Sequence, residues 1–285
     1  MIATSFIILT IIFGVLWLTS GTISSNSPVI SNGTISEYAI ANGIIGFPSR
    51  LPNDGNYVQW TILQMNDVYE LLPLDRGRKG GLARVAYMRQ LLKQENNNTI
   101  TVLAGDLVSP SALGTALVNG TALNGKQMIA TMNTLGLDYM AFGNHEFDLN
   151  EANLLARMNE SKFTWIGSNI FRLNSQEPFG SSVTYSIVRV DSIRILFIGL
   201  TIDRTVRYAR ISNRSSLVQY TKQFLSSLPR GIYDVAVALT HLDLANDIEL
   251  ATLVPELDLI LGGHEHENSY VLRGTDFTQI GRAHV

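Results

Sequence analysis

The chain has 285 residues, of which 46% are hydrophobic and none is cysteine. This length can bury one large core or two smaller ones. Without cysteine, disulfides and thiolate metal sites are excluded. Any metal would need imidazole, carboxylate, amide or phenol ligands, a set that suits Zn, Mn, Fe or Co. The net charge of −3 provides no electrostatic basis for binding nucleic acid, so no nucleic-acid partner is expected.

The N-terminus is a hydrophobic leader in which residues 6–18 carry no charge, and small polar residues follow it. The apolar stretch is short for a membrane span of about 20 residues. Residues 1–20 are therefore predicted to be a signal peptide or a signal anchor, with residues 5–18 as the membrane anchor in the second case. A buried helix is a third interpretation. The first two predict a protein that is secreted or held on the extracellular face of the membrane.

Residues 21–56 are rich in Ser, Asn, Gly and Pro, which is typical of a polar linker or an irregular N-terminal extension. A folded domain is predicted over 57–279, where apolar runs alternate with segments of helical periodicity. The predicted strands are 58–65, 99–104, 137–142, 183–190, 193–200, 233–239 and 257–261. The predicted helices are 80–94, 126–135, 151–158, 217–228 and 248–254. This alternation indicates an α/β fold.

Residues 280–285 read Ile-Gly-Arg-Ala-His-Val, which is the in-frame translation of a common sequencing adapter, ATC GGA AGA GCA CAC GTC. They are interpreted as adapter read-through and excluded from fold reasoning. A genuine short C-terminus is the alternative. On the first interpretation, the domain at 57–279 is incomplete at its C-terminus.

Two acidic motifs follow predicted strands. Asp67 and Tyr69 lie two residues apart, and in extended geometry both side chains would point to one face. Asp106 follows the strand at 99–104 and is interpreted as a carboxylate that bridges two metals about 3.5–4 Å apart. Each motif alone is more simply explained by a turn or a cap. The metal interpretation therefore depends on the motifs that follow.

The strongest single motif is Gly143-Asn144-His145-Glu146-Phe147-Asp148. Asn144 can offer its carbonyl oxygen to a metal, while the adjacent His145 would face a substrate. Asp148 could accept a hydrogen bond from the ring of His145 and determine its tautomer. Glu146 is interpreted as a structural residue rather than a ligand.

The remaining histidines of the domain also follow apolar runs. His264 and His266 come after two glycines and, being two residues apart, are expected to share a face. Sites in α/β sheets form at the carboxyl ends of strands. Five strands would therefore deliver ligands for a two-metal hydrolytic site to one edge. The residues that follow these strands are Asp67, Asp106, Asn144, His241 and His264.

In chain order, the series Asn-Asp-Val-Tyr, Gly-Asp, Gly-Asn-His-Glu-Phe-Asp, Thr-His and Gly-Gly-His-Glu-His resembles a calcineurin-like metallophosphoesterase. Within that family it is most similar to the 5′-nucleotidases. The resemblance covers roughly residues 58–273. It implies a four-layer α/β/β/α sandwich with a dinuclear metal site at the C-terminal edge of the strands.

The resemblance also implies a metal-dependent hydrolase of small-molecule phosphomonoesters, with nucleoside 5′-phosphates attacked by a metal-bridging hydroxide. His145, oriented by Asp148, would stabilise the transferred phosphoryl group or protonate the leaving oxygen. The implied ligands are Asp67, Asp106 and His266 for one divalent ion and Asp106, Asn144, His241 and His264 for the other.

Tyr69 departs from this pattern, because many family members have histidine there. A phenol, with a reference pKa of about 10, is a poor ligand until it is deprotonated. Tyr69 is thus either a further ligand or a wall of the site. Two alternatives stay open: a non-catalytic or weakly active surface-binding protein on the same fold, and a phosphoesterase for nucleotide sugars or cyclic nucleotides.

Overall fold

The computed structural model describes residues 7–12, 15–20, 58, 60–74, 76–78, 80–211, 217–266, 269–273 and 278–282. The strands are, in chain order, β1 (Ile7–Ile12), β2 (Val15–Ser20), β3 (Thr61–Met65), β4 (Thr99–Ala104), β5 (Leu117–Val118), β6 (Thr121–Ala122), β7 (Tyr139–Ala141), β8 (Thr164–Ile166), β9 (Ile170–Arg172), β10 (Tyr185–Val190), β11 (Ile193–Thr201), β12 (Ala209–Ile211), β13 (Val235–His241), β14 (Leu259–Gly263), β15 (Ser269–Arg273) and β16 (Thr278–Arg282). The helices are α1 (Leu82–Glu95), α2 (Lys126–Leu135), α3 (Glu151–Glu160), α4 (Leu217–Ser227) and α5 (Leu244–Leu253).

Two six-stranded sheets form the centre of the described part of the chain. The first has the order β1-β2-β3-β4-β7-β8, and the second has the order β10-β11-β13-β14-β16-β15. In the first sheet β3, β4, β7 and β8 are parallel. In the second sheet β11, β13, β14 and β16 are parallel. Antiparallel strands lie at the sheet edges, among them β10, which pairs with β11.

Three buried apolar clusters show that the sheets and helices form four layers. Between the sheets, Ile62 of the first sheet shares a cluster with Phe197 of the second. Their chain neighbours, Leu63 and Leu196, lie in separate clusters on the outer faces. This alternation follows from the two-residue period of a strand. Helices α1, α2 and α3 cover the first sheet, and α4 and α5 cover the second. The predicted α/β/β/α sandwich is therefore confirmed.

Local residues explain most helix boundaries. Helix α2 has the predicted bounds because Gly125 and Gly136 flank it with left-handed φ angles of 80° and 87°. Helix α3 begins after Asn150, whose side chain accepts a hydrogen bond from the backbone N–H of Asn153. Helix α5 begins at Leu244, four residues before the predicted start at 248, with Asp243 at its N-cap.

The strands β13 and β14 each end two residues later than predicted. Thr240 and His241 of β13 pair with Gly262 and Gly263 of β14, which the prediction left outside both strands. His241 is thus the last residue of a buried strand rather than a residue that follows one. Its position in β13 restrains the His241 ring more firmly than a position in a loop would.

In the leader, β1 and β2 are antiparallel strands, so the interpretation of residues 1–20 as a buried helix is wrong. The signal peptide and the anchor stay predictions. No α-helix in the described part of the chain has the length and apolarity needed to cross a bilayer. The predicted linker at 21–56 lies outside the described residues. Residues 280–282 belong to β16, and the adapter interpretation of 280–285 stays a prediction.

Candidate metal centre

The predicted site residues meet where the parallel strands of the two sheets end. Asp67 and Asp106 follow β3 and β4, and Asn144 follows β7. His241 ends β13, and His264 comes directly after β14. The first three residues come from the first sheet and the last two from the second, so the site spans the edge shared by both sheets.

Asp67, Asp106 and His241 are buried and offer ligand atoms that all lie within 4.8 Å of one another. The Nε2 atom of His241 is 3.2 Å from Asp106 Oδ2 and 3.9 Å from Asp67 Oδ1. The Oδ1 atom of Asn144 lies 3.0 Å from the same nitrogen. Carboxylate, amide and imidazole donors this close together suit a divalent cation, so these four residues could hold one.

The backbone determines which nitrogen of His241 is available. Its Nδ1 atom lies 2.8 Å from the carbonyl oxygen of Ala104, which can only accept, so Nδ1 carries a proton. The Nε2 atom is then directed towards the carboxylates. This close approach requires glycine, because a Cβ at Gly105 would lie 2.4 Å from His241 Nδ1. A Cβ at Gly263 would lie 2.4 Å from the Ala104 oxygen.

At the centre of the site, charge pairing and hydrogen bonds together shift the pKa values of Asp106 and His241 more than burial does. Burial disfavours the Asp106 carboxylate, but His241 and the hydrogen bonds from the His145 N–H and the Tyr69 hydroxyl lower its pKa to about 2. Burial likewise disfavours protonated His241, yet Asp106 and Asp67 raise its pKa to about 9. The protein groups alone thus form an ion pair, and a cation that binds Nε2 would take the place of a proton.

The chain turns sharply at the strand ends that carry the carboxylates. Asp67 and Asp106 have φ angles of 53° and 59°, in the left-handed region that non-glycine residues rarely adopt. The extended geometry predicted for Asp67 and Tyr69 is therefore wrong, although their side chains still meet. Backbone conformations of this kind concentrate at functional sites.

His264 and His266 also have left-handed φ angles, of 91° and 52°. The prediction that they share a face is therefore wrong, because the backbone between them is not extended. The Nε2 atom of His266 lies 3.2 Å from Asp67 Oδ1, whereas that of His264 lies 3.5 Å from Asp243 Oδ1. The ring of His264 also lies edge-on to that of His241, with centroids 5.1 Å apart.

Tyr69 lies among the three side chains implied to hold the first ion. Its hydroxyl donates towards Asp106 Oδ2 at 2.8 Å and Asp67 Oδ1 at 3.1 Å, and lies 3.1 Å from His266 Nε2. Burial raises the pKa of Tyr69 far above its usual value, and the charges of Asp106 and Asp67 add to this effect. Without a cation to stabilise a phenolate, Tyr69 is a neutral hydrogen-bond donor.

His145 and Asp148 form the predicted pair beside the predicted metal ligands. His145 Nδ1 lies 2.7 Å from Asp148 Oδ2, which also accepts a hydrogen bond from Ser109 Oγ at 3.0 Å. Arg204 donates to Asp148 Oδ1 at 2.8 Å and, through its other terminal nitrogen, to the backbone oxygen of Asn144. Burial opposes ionisation of Asp148, but the contacts to His145, Arg204 and Ser109 lower its pKa.

Glu146 is structural, as predicted. It is fully buried, and its two carboxylate oxygens accept hydrogen bonds from four backbone N–H groups at 2.6–3.2 Å. The donors belong to Asp106, Leu107, Val108 and Gly143. Burial raises the pKa of Glu146 to about 7, and the Asp106 carboxylate adds to the rise. Glu146 thus supports the turn that presents Asp106.

Arg204 and Ser109 were not identified from the sequence. Neither lies in a recognised motif, but Arg204 comes three residues after β11. Sites in α/β sheets form at the carboxyl ends of strands, and this rule, applied to the predicted strand at 193–200, would have identified Arg204. Asp243 occupies the N-cap position of α5, but its side chain lies beside His264 and makes no capping hydrogen bond.

Comparison with known families and structures agrees with this arrangement. A family model described as calcineurin-like phosphoesterase matches residues 61–268, which is well over half of the chain. The solved structure of the 5′-nucleotidase precursor from Thermus thermophilus matches this chain with a TM-score of 0.64 and 22% identity. The match covers 78% of this chain and 48% of that one. At this identity the structural likeness supports the fold alone.

Among curated relatives, the snake venom 5′-nucleotidase of Gloydius brevicauda is 27% identical over 249 residues, 82% of this chain and 41% of the relative. The NAD 5′-nucleotidase of Haemophilus influenzae is 24% identical over 254 residues, 81% of this chain and 40% of the relative. The chain therefore spans about two fifths of the length of these relatives. On its fold, its convergent donor set and the match over residues 61–268, the chain belongs to the calcineurin-like phosphoesterase family.

Proposed function

We propose that the protein is a metal-dependent phosphomonoester hydrolase that acts on nucleoside 5′-phosphates. One observation carries the proposal: Asp67, Asp106 and His241 converge within 4.8 Å beside the His145–Asp148 pair. The names of the relatives support the substrate class, since two of them are a snake venom 5′-nucleotidase and an NAD 5′-nucleotidase.

The proposed ligands of the first ion are Asp67, Asp106 and His266, and those of the second are Asp106, Asn144, His241 and His264. The donor set suits Zn, Mn, Fe or Co. When bound, the two cations would acidify a water molecule and polarise the phosphoryl oxygens. Asp106 is the proposed shared ligand, because its Oδ2 atom lies 2.8 Å from the Tyr69 hydroxyl, which contacts Asp67 and His266, and 3.2 Å from His241 Nε2.

His145 is the proposed acid for the leaving oxygen or donor to the phosphoryl group. The Nδ1 atom of His145 is hydrogen-bonded to Asp148, so the other ring nitrogen is available to a substrate. Arg204 and Ser109 hold Asp148 in place, which keeps the ring of His145 in one orientation. The hydrophobic leader and the snake venom relative support a secreted or extracellular location.

A weakly active or non-catalytic binding protein is the second candidate, and Tyr69 favours it. Its hydroxyl lies within 3.1 Å of all three side chains proposed for the first ion, in contrast to the histidine that many family members have there. A neutral phenol would weaken the first site without affecting Asn144, His241 or His264.

The experiment is metal-dependent release of phosphate from AMP and p-nitrophenyl phosphate. Addition of Mn²⁺ or Zn²⁺ to chelator-treated protein is expected to restore turnover. Asp106→Asn should lower kcat by at least about a hundredfold, because it removes a charge from both proposed ions. Asp234→Asn is the matched control, since Asp234 pairs with Arg194 far from the site. Equal activity of the two variants would contradict the proposal.

A further inference from the structure

A cavity of about 710 Å³ opens beside the His145–Asp148 pair. Asp148 lines it and contacts His145 Nδ1 at 2.7 Å, so the cavity begins one side chain away from the proposed reacting group. Val108 and Ser109, just after Asp106, and Leu149, just after Asp148, also line it. This volume lies within the range of about 300–1,000 Å³ that small-molecule sites occupy.

The polar groups of the cavity are mainly uncharged. Hydroxyl and amide side chains both donate and accept hydrogen bonds, as the hydroxyl groups of a ligand do. Among the described residues that line the cavity, none has an aromatic ring, so stacking on a base is not provided. The uncharged polar lining residues are Ser109, Ser111, Thr115, Asn124, Asn150 and Asn153.

Among the described lining residues of the cavity, the charged groups are acidic. Glu70 and Asp148 line it, and no lysine or arginine is found among its described lining residues. The charge of Asp148 is already paired with Arg204 and His145. A phosphate or carboxylate placed in the cavity would therefore meet the negative charge of Glu70, and like charges at short range repel.

We propose that this cavity holds the leaving group of the phosphoester, and that this group is a neutral, hydroxyl-bearing alcohol such as a sugar or polyol. The inference rests on the proposed metal-dependent hydrolysis of phosphomonoesters and extends its substrates from nucleoside 5′-phosphates to the phosphates of neutral sugars and polyols. It excludes leaving groups that carry a second phosphate or a carboxylate. The phosphoryl group would lie at the metal ligands while the alcohol extends past His145 into the cavity.

The test compares two substrates that differ by one charge, glycerol 3-phosphate and 3-phosphoglycerate, at saturating metal. We expect kcat/KM to be at least about tenfold higher for glycerol 3-phosphate, because 3-phosphoglycerate places a carboxylate near Glu70. Glu70→Gln should reduce this ratio by improving hydrolysis of 3-phosphoglycerate alone. Equal kcat/KM values for the two substrates in the unmodified protein would overturn the inference.

A second variant tests the hydroxyl contacts. Thr115→Val should raise KM for glycerol 3-phosphate about fivefold with little change in kcat, because it removes a hydroxyl from the cavity and nothing from the reacting groups. Thr134→Val is the matched control, since Thr134 is exposed on α2 and also donates to a backbone carbonyl. An equal change in KM in both variants would contradict the proposal that this cavity binds the leaving group.

Hydrolysis of p-nitrophenyl phosphate separates the two proposals. Its leaving group has no aliphatic hydroxyl and no carboxylate, so both cavity variants should alter its kcat/KM less than they alter that of the glycerol substrates. Metal-dependent hydrolysis of this substrate, together with equal kcat/KM for the glycerol pair, overturns the cavity inference and leaves the proposed function intact. Absence of any metal-dependent hydrolysis overturns both, because the cavity would then hold no leaving group.

Discussion

Arg204 joins two parts of the site that lie four residues apart in the chain. Its guanidinium group donates both to Asp148, which orients His145, and to the backbone oxygen of Asn144, a proposed metal ligand. A planar fork of this kind restrains both partners at once, which a flexible ammonium group does less well. The side chain therefore positions His145, the proposed acid, relative to Asn144, a proposed metal ligand.

Replacing Arg204 should impair leaving-group protonation more than metal-assisted attack. For Arg204→Gln we expect kcat on glycerol 3-phosphate to fall about tenfold or more, and kcat on p-nitrophenyl phosphate to fall much less, because p-nitrophenolate leaves without a proton. Arg204→Lys should recover part of the loss. Arg210→Gln, at an arginine that stacks on Phe171, is the control. An equal loss on both substrates would argue for a purely structural role.

We expect Tyr69 to determine how well the proposed first ion is held. Tyr69→His should raise the metal bound per chain in dialysed protein, measured by elemental analysis, because a neutral imidazole nitrogen is a far better ligand than a phenol with a raised pKa. Tyr87→His, at a tyrosine 62% exposed on α1, controls for an added surface imidazole. Unchanged metal content in the Tyr69 variant would mean that the native phenol already serves as a ligand.

At the scale of elements, β8 and β11 bring the backbones of the two sheets into contact. A Cβ at Gly199 of β11 would lie 2.2 Å from the carbonyl oxygen of Ile166 in β8. Ser168, just after β8, donates its N–H to the Gly199 oxygen at 2.7 Å and accepts from the Gly199 N–H at 3.0 Å. Backbone contact between the sheets therefore requires glycine at this position.

Gly199→Ala should lower the free energy of unfolding by about 3 kcal/mol or more, because the added methyl group overlaps a backbone atom that cannot rotate away. Gly114→Ala is the control, since its nearest neighbour would be 3.3 Å away and no left-handed φ is required there. That change should be close to neutral, within about 1 kcal/mol. Urea unfolding of both variants checks the difference, and similar values would contradict it.

For the whole molecule, the metal centre is also a junction between the two sheets. Asp67 and Asp106 belong to the first sheet and His241 to the second, and the His264 N–H donates to Asp67 Oδ2 at 2.9 Å across the same edge. A cation held by both sheets would bind the folded protein and not the unfolded chain. Binding of that kind stabilises the fold by mass action.

Removal of metal should therefore lower Tm. At a free metal concentration of 100 times Kd, the stabilisation is about 2.7 kcal/mol, which corresponds to a shift of about 5 °C or more. Asp106→Asn should lose most of this metal-dependent shift, whereas Asp234→Asn should keep it. Thermal unfolding with and without chelator measures both. A chelator-insensitive Tm in the unmodified protein would contradict a metal shared by the sheets.

Local pattern was sufficient to predict most of the secondary structure. The bounds of β4 and α2 follow from an apolar run and from flanking glycines, which act through neighbouring residues only. The ends of β13 and β14 were missed because Thr240 and Gly262 belong to strands through pairing with each other. Such pairing joins residues about twenty positions apart, so the pattern of neighbouring residues does not reveal it.

By itself, the sequence determined the donor types, the strand ends that carry them and the α/β alternation, because each of these depends on residue identity and short-range spacing. Only the tertiary structure decided which donors meet. It gave His264 and His266 different carboxylate neighbours, brought Tyr69 into contact with Asp67, Asp106 and His266, and placed Arg204 against Asp148. These contacts depend on left-handed turns and on the docking of two sheets, which arise from packing between distant segments.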